Sequence, residues 1–292
     1  MERNRRFATW TGAILGVSLA VVLNVALAHA SDNDNDGAVV TEEFHHTYPL
    51  TANGRIELEN INGAVHIIAW DQNQVKVDAV KRARNEDQLK DADILIENRA
   101  DSISIETKYR ERDKDYRYFD ARNNPASVEY TLTIPRTARL DEIKLINGSL
   151  DVTGVSGEVH ASCINGKLTA RGLAGRARLA TINGHLDANF DRLQATPIEL
   201  SSVNGPVDLT LPSDAKASIE ATTVSGGIDN SFGLHTNDHR FVGHNLRGEL
   251  GGGGVQIRLN NVNGRIDVRH ANDGHALSPA RDIGGDRGED EI

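Results

Sequence analysis

Apolar and polar residues alternate with turn signals on a fixed beat through the middle of the chain. Ile146-Asn147-Gly148-Ser149-Leu150-Asp151-Val152 is followed nine residues on by Val155-Ser156-Gly157-Glu158-Val159-His160-Ala161. Ile164-Asn165-Gly166-Lys167-Leu168-Thr169-Ala170, Leu173-Ala174-Gly175-Arg176-Ala177-Arg178-Leu179 and Ile182-Asn183-Gly184-His185-Leu186-Asp187-Ala188 continue the series. Looser copies start at Val203, Val224 and Val262, and an early one at Ile61. When the copies are aligned on their first apolar residue, the third position is always glycine. The second is Asn62, Asn147, Asn165, Asn183, Asn204 or Asn263 in six of them. The fifth and seventh are apolar, except for Asn230.

Each rule has its own physical cause. Asn-Gly is a strong signal for a tight turn, because both residues tolerate positive φ. The turn pairs expected are Asn62-Gly63, Asn147-Gly148, Asn165-Gly166, Asn183-Gly184, Asn204-Gly205 and Asn263-Gly264. Apolar residues two apart after the turn share one face of a strand. Nine residues therefore make one short strand and one turn, a spacing that no helix fits. Ile-Asn-Gly itself returns every eighteen residues, at 146, 164 and 182. This predicts an all-β fold, a β-solenoid or β-helix-like stack in which eighteen residues make one coil and the asparagines form a ladder. The alternative is an antiparallel meander or sandwich with alternate hairpins at one end. Cys163, the only cysteine, precedes a repeat start and reads as a small core residue.

The rest of the chain divides around this block. Residues 44–140 read as a less regular β region, with strands at Arg55–Glu59, Val65–Trp70, Gln74–Val80, Ile94–Glu97, Ser102–Lys108 and Val128–Ile134. Asn85 is placed to cap a short helix with acids in its first turn. The repeats occupy 141–270. Residues 31–43 read as an acidic flexible linker and 271–292, without periodicity, as a disordered tail.

The first thirty residues change the address. Arg3, Arg5 and Arg6 precede an apolar run from Ala13 to Ala28, and Ala28-His29-Ala30 supplies a small-x-small cleavage pattern. That reads as a secretory signal. The competing reading is an uncleaved membrane anchor, for which the run is short and interrupted by Asn24. Cleavage would leave no transmembrane segment, so the protein is expected in the periplasm or at the cell surface. Net charge is −10, and residues 1–30 carry three Arg against one Glu, so the processed chain is more acidic still. Such a balance argues against nucleic acid as a partner.

Candidate chemistry is sparse. Asp32, Asp34, Asp36 and Glu43 follow the D-x-D-x-D-G-x5-E spacing of a calcium loop, in which alternating carboxylates converge on a hard cation. The competing reading is an acidic linker, and no other cofactor is expected. His235, His239 and His244, and the adjacent His45-His46, match no closed zinc spacing and read as exposed loop residues. Tyr109, Tyr116, Tyr118 and Phe119 concentrate aromatic residues in an Arg- and Asp-rich segment, Tyr109–Asn124, which suits recognition of a partner. No catalytic frame is present in the sequence, so a non-enzymatic protein is expected.

The repeats, with the opening Gly54-Arg55-Ile56-Glu57-Leu58-Glu59-Asn60-Ile61-Asn62-Gly63-Ala64-Val65-His66-Ile67 and the strand Val128–Pro135 before them, resemble the bacterial putative-adhesin family. The resemblance covers about residues 44–270. It implies an exported, non-catalytic binding or structural module of the cell envelope, with an envelope protein or a surface glycan as partner. It also leaves open a component of envelope-stress signalling and, as a further alternative, a polysaccharide-acting enzyme. The family supplies no shared catalytic residues.

Overall fold

The structure, a computed structural model, describes residues 39–110, 126–238 and 243–283. In chain order its elements begin with β1 (Val40–Pro49), β2 (Arg55–Asn62), β3 (Val65–Trp70), β4 (Gln74–Ala83), α1 (Glu86–Lys90), β5 (Ala92–Asn98) and β6 (Ser102–Tyr109). Then come β7 (Ser127–Pro135), β8 (Arg139–Asn147), β9 (Leu150–Thr153), β10 (Val159–Asn165), β11 (Leu168–Leu173), β12 (Ala177–Asn183) and β13 (Leu186–Phe190). The chain ends with β14 (Ile198–Asn204), β15 (Val207–Leu211), β16 (Ala217–Ser225), β17 (Ile228–Asn230), β18 (Thr236–Asp238), β19 (His244–Leu250), β20 (Val255–Asn263), β21 (Ile266–His270) and β22 (Ala280–Asp282).

Among the described residues these strands make two sheets. A 10-stranded sheet runs β1-β4-β7-β3-β9-β11-β13-β15-β21-β17. A 12-stranded sheet runs β18-β19-β16-β20-β14-β12-β10-β8-β2-β6-β5, with β22 added on β19. From β8 to β15 successive strands alternate between the sheets, and each pairs in parallel with the strand one coil later, as in Val159↔Ala177 and Leu168↔Leu186. The fold is a β-solenoid-like stack, since a meander would pair neighbours antiparallel. The spacing loosens after Ile182, first through the longer connection between β13 and β14 and then because the chain runs out to β16 and β17 and back through β19. The coil β20–β21 then enters between β14–β15 and β16–β17.

Leu150, Leu168, Leu186, Val207 and Ile266 lie in register across the 10-stranded sheet and are buried, as the fifth repeat position requires. Each such side chain taken from water contributes about 2 kcal/mol. The core continues without a break into residues 44–140, where Ile56, Leu58, Val65 and Ile67 join the same buried cluster. Tyr130 is fully buried there, with its hydroxyl 2.7 Å from Thr107 Oγ1. Asn85 caps α1, its side chain accepting from the Gln88 N–H.

At the Asn-Gly corners the asparagines stay extended, and it is the glycines Gly63, Gly148, Gly166, Gly205 and Gly264 that carry positive φ. Of the two residues that tolerate positive φ, only the glycine uses it here. A stacked coil must pass its backbone from one sheet to the other rather than fold back in a hairpin. The glycine is required because a Cβ on Gly166 would collide with the Gly148 carbonyl of the coil below. The corner glycine N–H donates to the asparagine carbonyl of the neighbouring coil, as Gly148 does to Asn165 at 3.0 Å, except that Gly264 donates to Ser225 O at 2.7 Å.

Two segments depart from the sequence reading. Val40–Glu43, placed in the flexible linker, belongs to β1 and pairs with Val80–Ala83 of β4. His45 and His46 lie on that strand too, rather than in a loop. Part of the expected tail, residues 271–283, is laid down on the stack. Ala280–Asp282 pair antiparallel with β19, and the Ser278 hydroxyl donates to Ala215 O at 2.7 Å. Isolated polar anchors and a three-residue strand leave no periodic trace in a sequence.

Candidate interaction surfaces

The outer face of the 12-stranded sheet carries three rows that follow from register. Ile61, Ile146, Ile164, Ile182, Val203, Val262 and Val224 are brought side by side by the pairing of β2, β8, β10, β12, β14, β20 and β16. These are the first apolar residues of the repeats, and they point outward, each 37–49% exposed. Neighbouring strands lie about 4.8 Å apart, so seven rungs give an apolar stripe of about 29 Å. Next to it runs a row of shorter side chains, Ser162, Ala180, Ser201, Asn260 and Thr222, ending in Lys144 and Glu59. Beyond that lies a charged row in which Arg178 meets Glu199 at 3.1 Å and Arg258 meets Glu220 at 3.4 Å. Part of this trough is a depression of about 190 Å³ bounded by Glu142, Lys144, His160, Ser162 and Arg178.

One edge of the stripe is fixed by an amide ladder. Asn263 Nδ2 donates to Asn204 Oδ1, Asn204 to Asn183, Asn183 to Asn165, Asn165 to Asn147 and Asn147 to Asn62, all at 2.9–3.0 Å. Beneath the stripe, the residue before each exposed Ile or Val points inward. Asn60 Nδ2 donates to Val128 O at 2.8 Å, Asn261 Nδ2 to Gly205 O at 2.9 Å and Thr223 Oγ1 to Gly264 O at 3.0 Å. Cys163 occupies the same column, with Sγ 3.4 Å from Gly148 O, and burial pushes its thiol up to about 11.

The outer face of the 10-stranded sheet is chemically different. Asp151, Thr169, Asp187, Asp208, Asp267 and Asp229 stand in one register column. The charges are consumed locally. Asp208 Oδ2 meets His185 Nε2 at 2.6 Å, and its other oxygen lies 3.6 Å from Arg269 and 3.8 Å from Arg265. Asp187 is 3.4 Å from Arg171 and 3.8 Å from Lys167. Toward one margin a cavity of about 660 Å³ is lined by Asp191, Lys216, Gly254, Asp214, Asp273 and His275. The last three bring candidate ligand atoms within 4.8 Å of one another, all on exposed residues, an arrangement that can hold a metal ion. They lie 59 and 61 positions apart or two apart in sequence, so no local motif announces them.

Residues 142–269, from β8 to β21, match the family model described as Toastrack DUF4097. These residues are similar to a Toastrack DUF4097 domain. The resemblance to the adhesin family is thereby borne out for the repeats, while the Asn62 rung and Ile61 extend the same surface beyond the matched residues. No curated protein matches the chain. Among solved structures, a putative cell adhesion protein from Clostridium sporogenes aligns with 12% identity over 78% of this chain and 99% of its own, at a TM-score of 0.46. A putative adhesin from Bacteroides fragilis aligns with 13% identity over 78% and 96%, at 0.28. A putative lipid binding protein from Parabacteroides distasonis aligns with 10% identity over 78% and 96%, at 0.24.

Of the residues singled out from sequence, the matched span holds Asn147, Asn165, Asn183, Asn204 and Asn263 of the ladder. Tyr109 precedes the matched span. It is packed partly against the core, its hydroxyl donates to Ala126 O at 2.7 Å, and burial raises it to about 12. Its ring thus ties together the two ends of the segment 110–126 instead of standing free. Tyr116, Tyr118, Phe119, His239, Asp32, Asp34 and Asp36 lie outside the described residues. Glu43 is an exposed residue of β1, 3.4 Å from His45 Nε2. No helix of the described residues is long and apolar enough to cross a membrane.

Proposed function

We propose that the protein is an exported, non-catalytic binding module of the cell envelope, and that it holds an envelope protein along the outer face of the 12-stranded sheet. The observation that carries this reading is the apolar stripe from Ile61 to Val224, seven branched aliphatic side chains on a rigid sheet with no described element over them. Exposed apolar patches of a few hundred Å² mark interaction sites more often than chance. A row of Ile and Val, without aromatic platforms, suits the apolar side chains of a protein better than the faces of sugar rings. The pairing of the Asp column with His185, Lys167 and arginines supports the non-catalytic half, because these carboxylates are held as ion-pair partners. The segment Tyr109–Asn124, closed at its base by the Tyr109–Ala126 hydrogen bond, supplies a second contact.

In-cell crosslinking of the tagged protein, followed by mass spectrometry, tests this. One dominant protein is expected, captured through the outer face of the 12-stranded sheet and lost from an Ile164→Lys/Ile182→Lys variant with an unchanged melting curve. Equal capture by that variant overturns the stripe as contact. Release of fragments from wall or surface glycans by the pure protein overturns the non-catalytic half.

A further inference from the structure

β1 is the outer strand of the 10-stranded sheet and pairs, among the described residues, with β4 alone. It is ten residues long, whereas the opposite end of that sheet closes on the three-residue β17. Long bare edges are templates for another strand, and proteins usually blunt them with Lys, Pro or a bulge. β1 has no Lys, and its only Pro is the terminal Pro49. Phe44, His46 and Tyr48 face inward yet remain partly exposed, with ring centroids 5.1 and 5.4 Å apart in succession. One more strand would complete their burial.

We propose that β1 is a self-association edge, pairing antiparallel with β1 of a second copy in the register centred on Phe44. The sequence Val40-Thr41-Glu42-Glu43-Phe44-His45-His46-Thr47-Tyr48 is complementary to its own reverse in that register. Glu43 falls opposite His45 of the second copy, Glu42 opposite His46, Thr41 opposite Thr47 and Val40 opposite Tyr48. Opposite-charge and Thr–Thr cross-strand pairs stabilise a ladder, and like charges directly opposite oppose it. Shifting the centre to Glu43 or to His45 sets that residue against itself, so one register is favoured. The geometry of the side chains agrees. His45 Nδ1 is 2.7 Å from Asp78, and its Nε2 has only a 3.4 Å contact with Glu43 of its own strand, which leaves it placed for a carboxylate across the new ladder. Glu42 is held 2.9 Å from Lys81 and stays one-third exposed. The matching edge of the other sheet, β5, lacks this property, because centring it on Leu95 sets Asp93 against Glu97. This edge is separate from the stripe, so the inference stands or falls apart from the proposed function.

The test is the mass in solution of the exported protein, by light scattering or sedimentation, with two variants at exposed positions. Glu43→Lys sets Lys against His45, and His45→Glu sets Glu against Glu43. Each alone is expected to weaken dimerisation by about tenfold or more, whereas mixing the two recreates opposite charges and restores a dimer. A Phe44→Cys variant is expected to close a disulfide between copies on mild oxidation, and a Thr41→Cys variant, whose counterpart is Thr47, is not. A wild-type protein that stays monomeric at every accessible concentration overturns the proposal. So does a dimer that both charge variants leave intact, since it would use another surface.

Discussion

The side-chain amide of Asn165 donates to Oδ1 of Asn147 at 2.9 Å, and its own oxygen accepts from Asn183 at the same distance. A primary amide holds a donor and an acceptor on opposite sides, so identical residues stacked one coil apart can each do both. Carboxylates at these sites would only repel. Asn165→Ala removes two rungs at once, and because the ladder is exposed the freed groups recover water. The expected loss is about 1–2 kcal/mol in urea unfolding. Asn165→Asp is expected to lose at least as much above neutral pH, where it can no longer donate to Asn147.

Gly166 faces a harder constraint. Its φ is +153°, and an added Cβ would overlap the Gly148 carbonyl, a backbone atom fixed by the stack. Gly166→Ala is expected to destabilise by about 3 kcal/mol or more. Gly233 has φ +81° with nothing near its absent side chain, so Gly233→Ala should lose only about 1–2 kcal/mol from backbone strain. Thermal melts of the two variants separate a stacking requirement from a conformational one.

The solenoid was legible because every level of the pattern agreed. Nine-residue units gave strands, the eighteen-residue rhythm gave coils, and the recurring asparagines gave the ladder. The apolar stripe was not legible. Ile146, Ile164 and Ile182 look like core residues in the aligned repeats, yet strand alternation turns them outward. The inward position before them is held by Leu145, Cys163 and Thr181, which differ too much to be read as one column. Hydrophobicity suggests burial only when the phase of the strand is known. β20–β21 entering out of chain order, the strand β22 and the gathering of Asp214 with Asp273 and His275 depend on contacts between distant segments, which a periodic reading does not reach.

Cys163 is sealed beneath the stripe. The residue is buried and its thiol is pushed up to about 11, so at pH 8 only about one molecule in a thousand carries a thiolate. Ellman's reagent is expected to label the native protein at the rate of unfolding and the denatured protein at once. Rapid labelling without denaturant would contradict the placement. Cys163→Ala should lower stability by about 1 kcal/mol, for a small cavity and a lost contact with Gly148.

Acid should unfasten the ordered part of the tail. Asp273 accepts hydrogen bonds from Ser213, including its N–H at 3.1 Å, and from the His275 N–H at 3.1 Å. These bonds favour the charged form and hold its carboxyl at about 2, against an ordinary 3.8. A carboxyl lowered on folding contributes stability that is fully present above its unfolded value and is lost as pH falls through the folded one. The contribution of Asp273 is therefore expected to fade between about pH 4 and pH 2, with the anchoring of residues 271–283 fading with it. Asp273→Asn cannot titrate, so its stability should fall less steeply over that window than that of the wild type. Hydrogen exchange at Gly251, whose N–H donates to Pro279 O at 2.9 Å, reports the same event locally. Protection at Gly251 that is equal at pH 5 and pH 2.5 would show that the tail is held without Asp273.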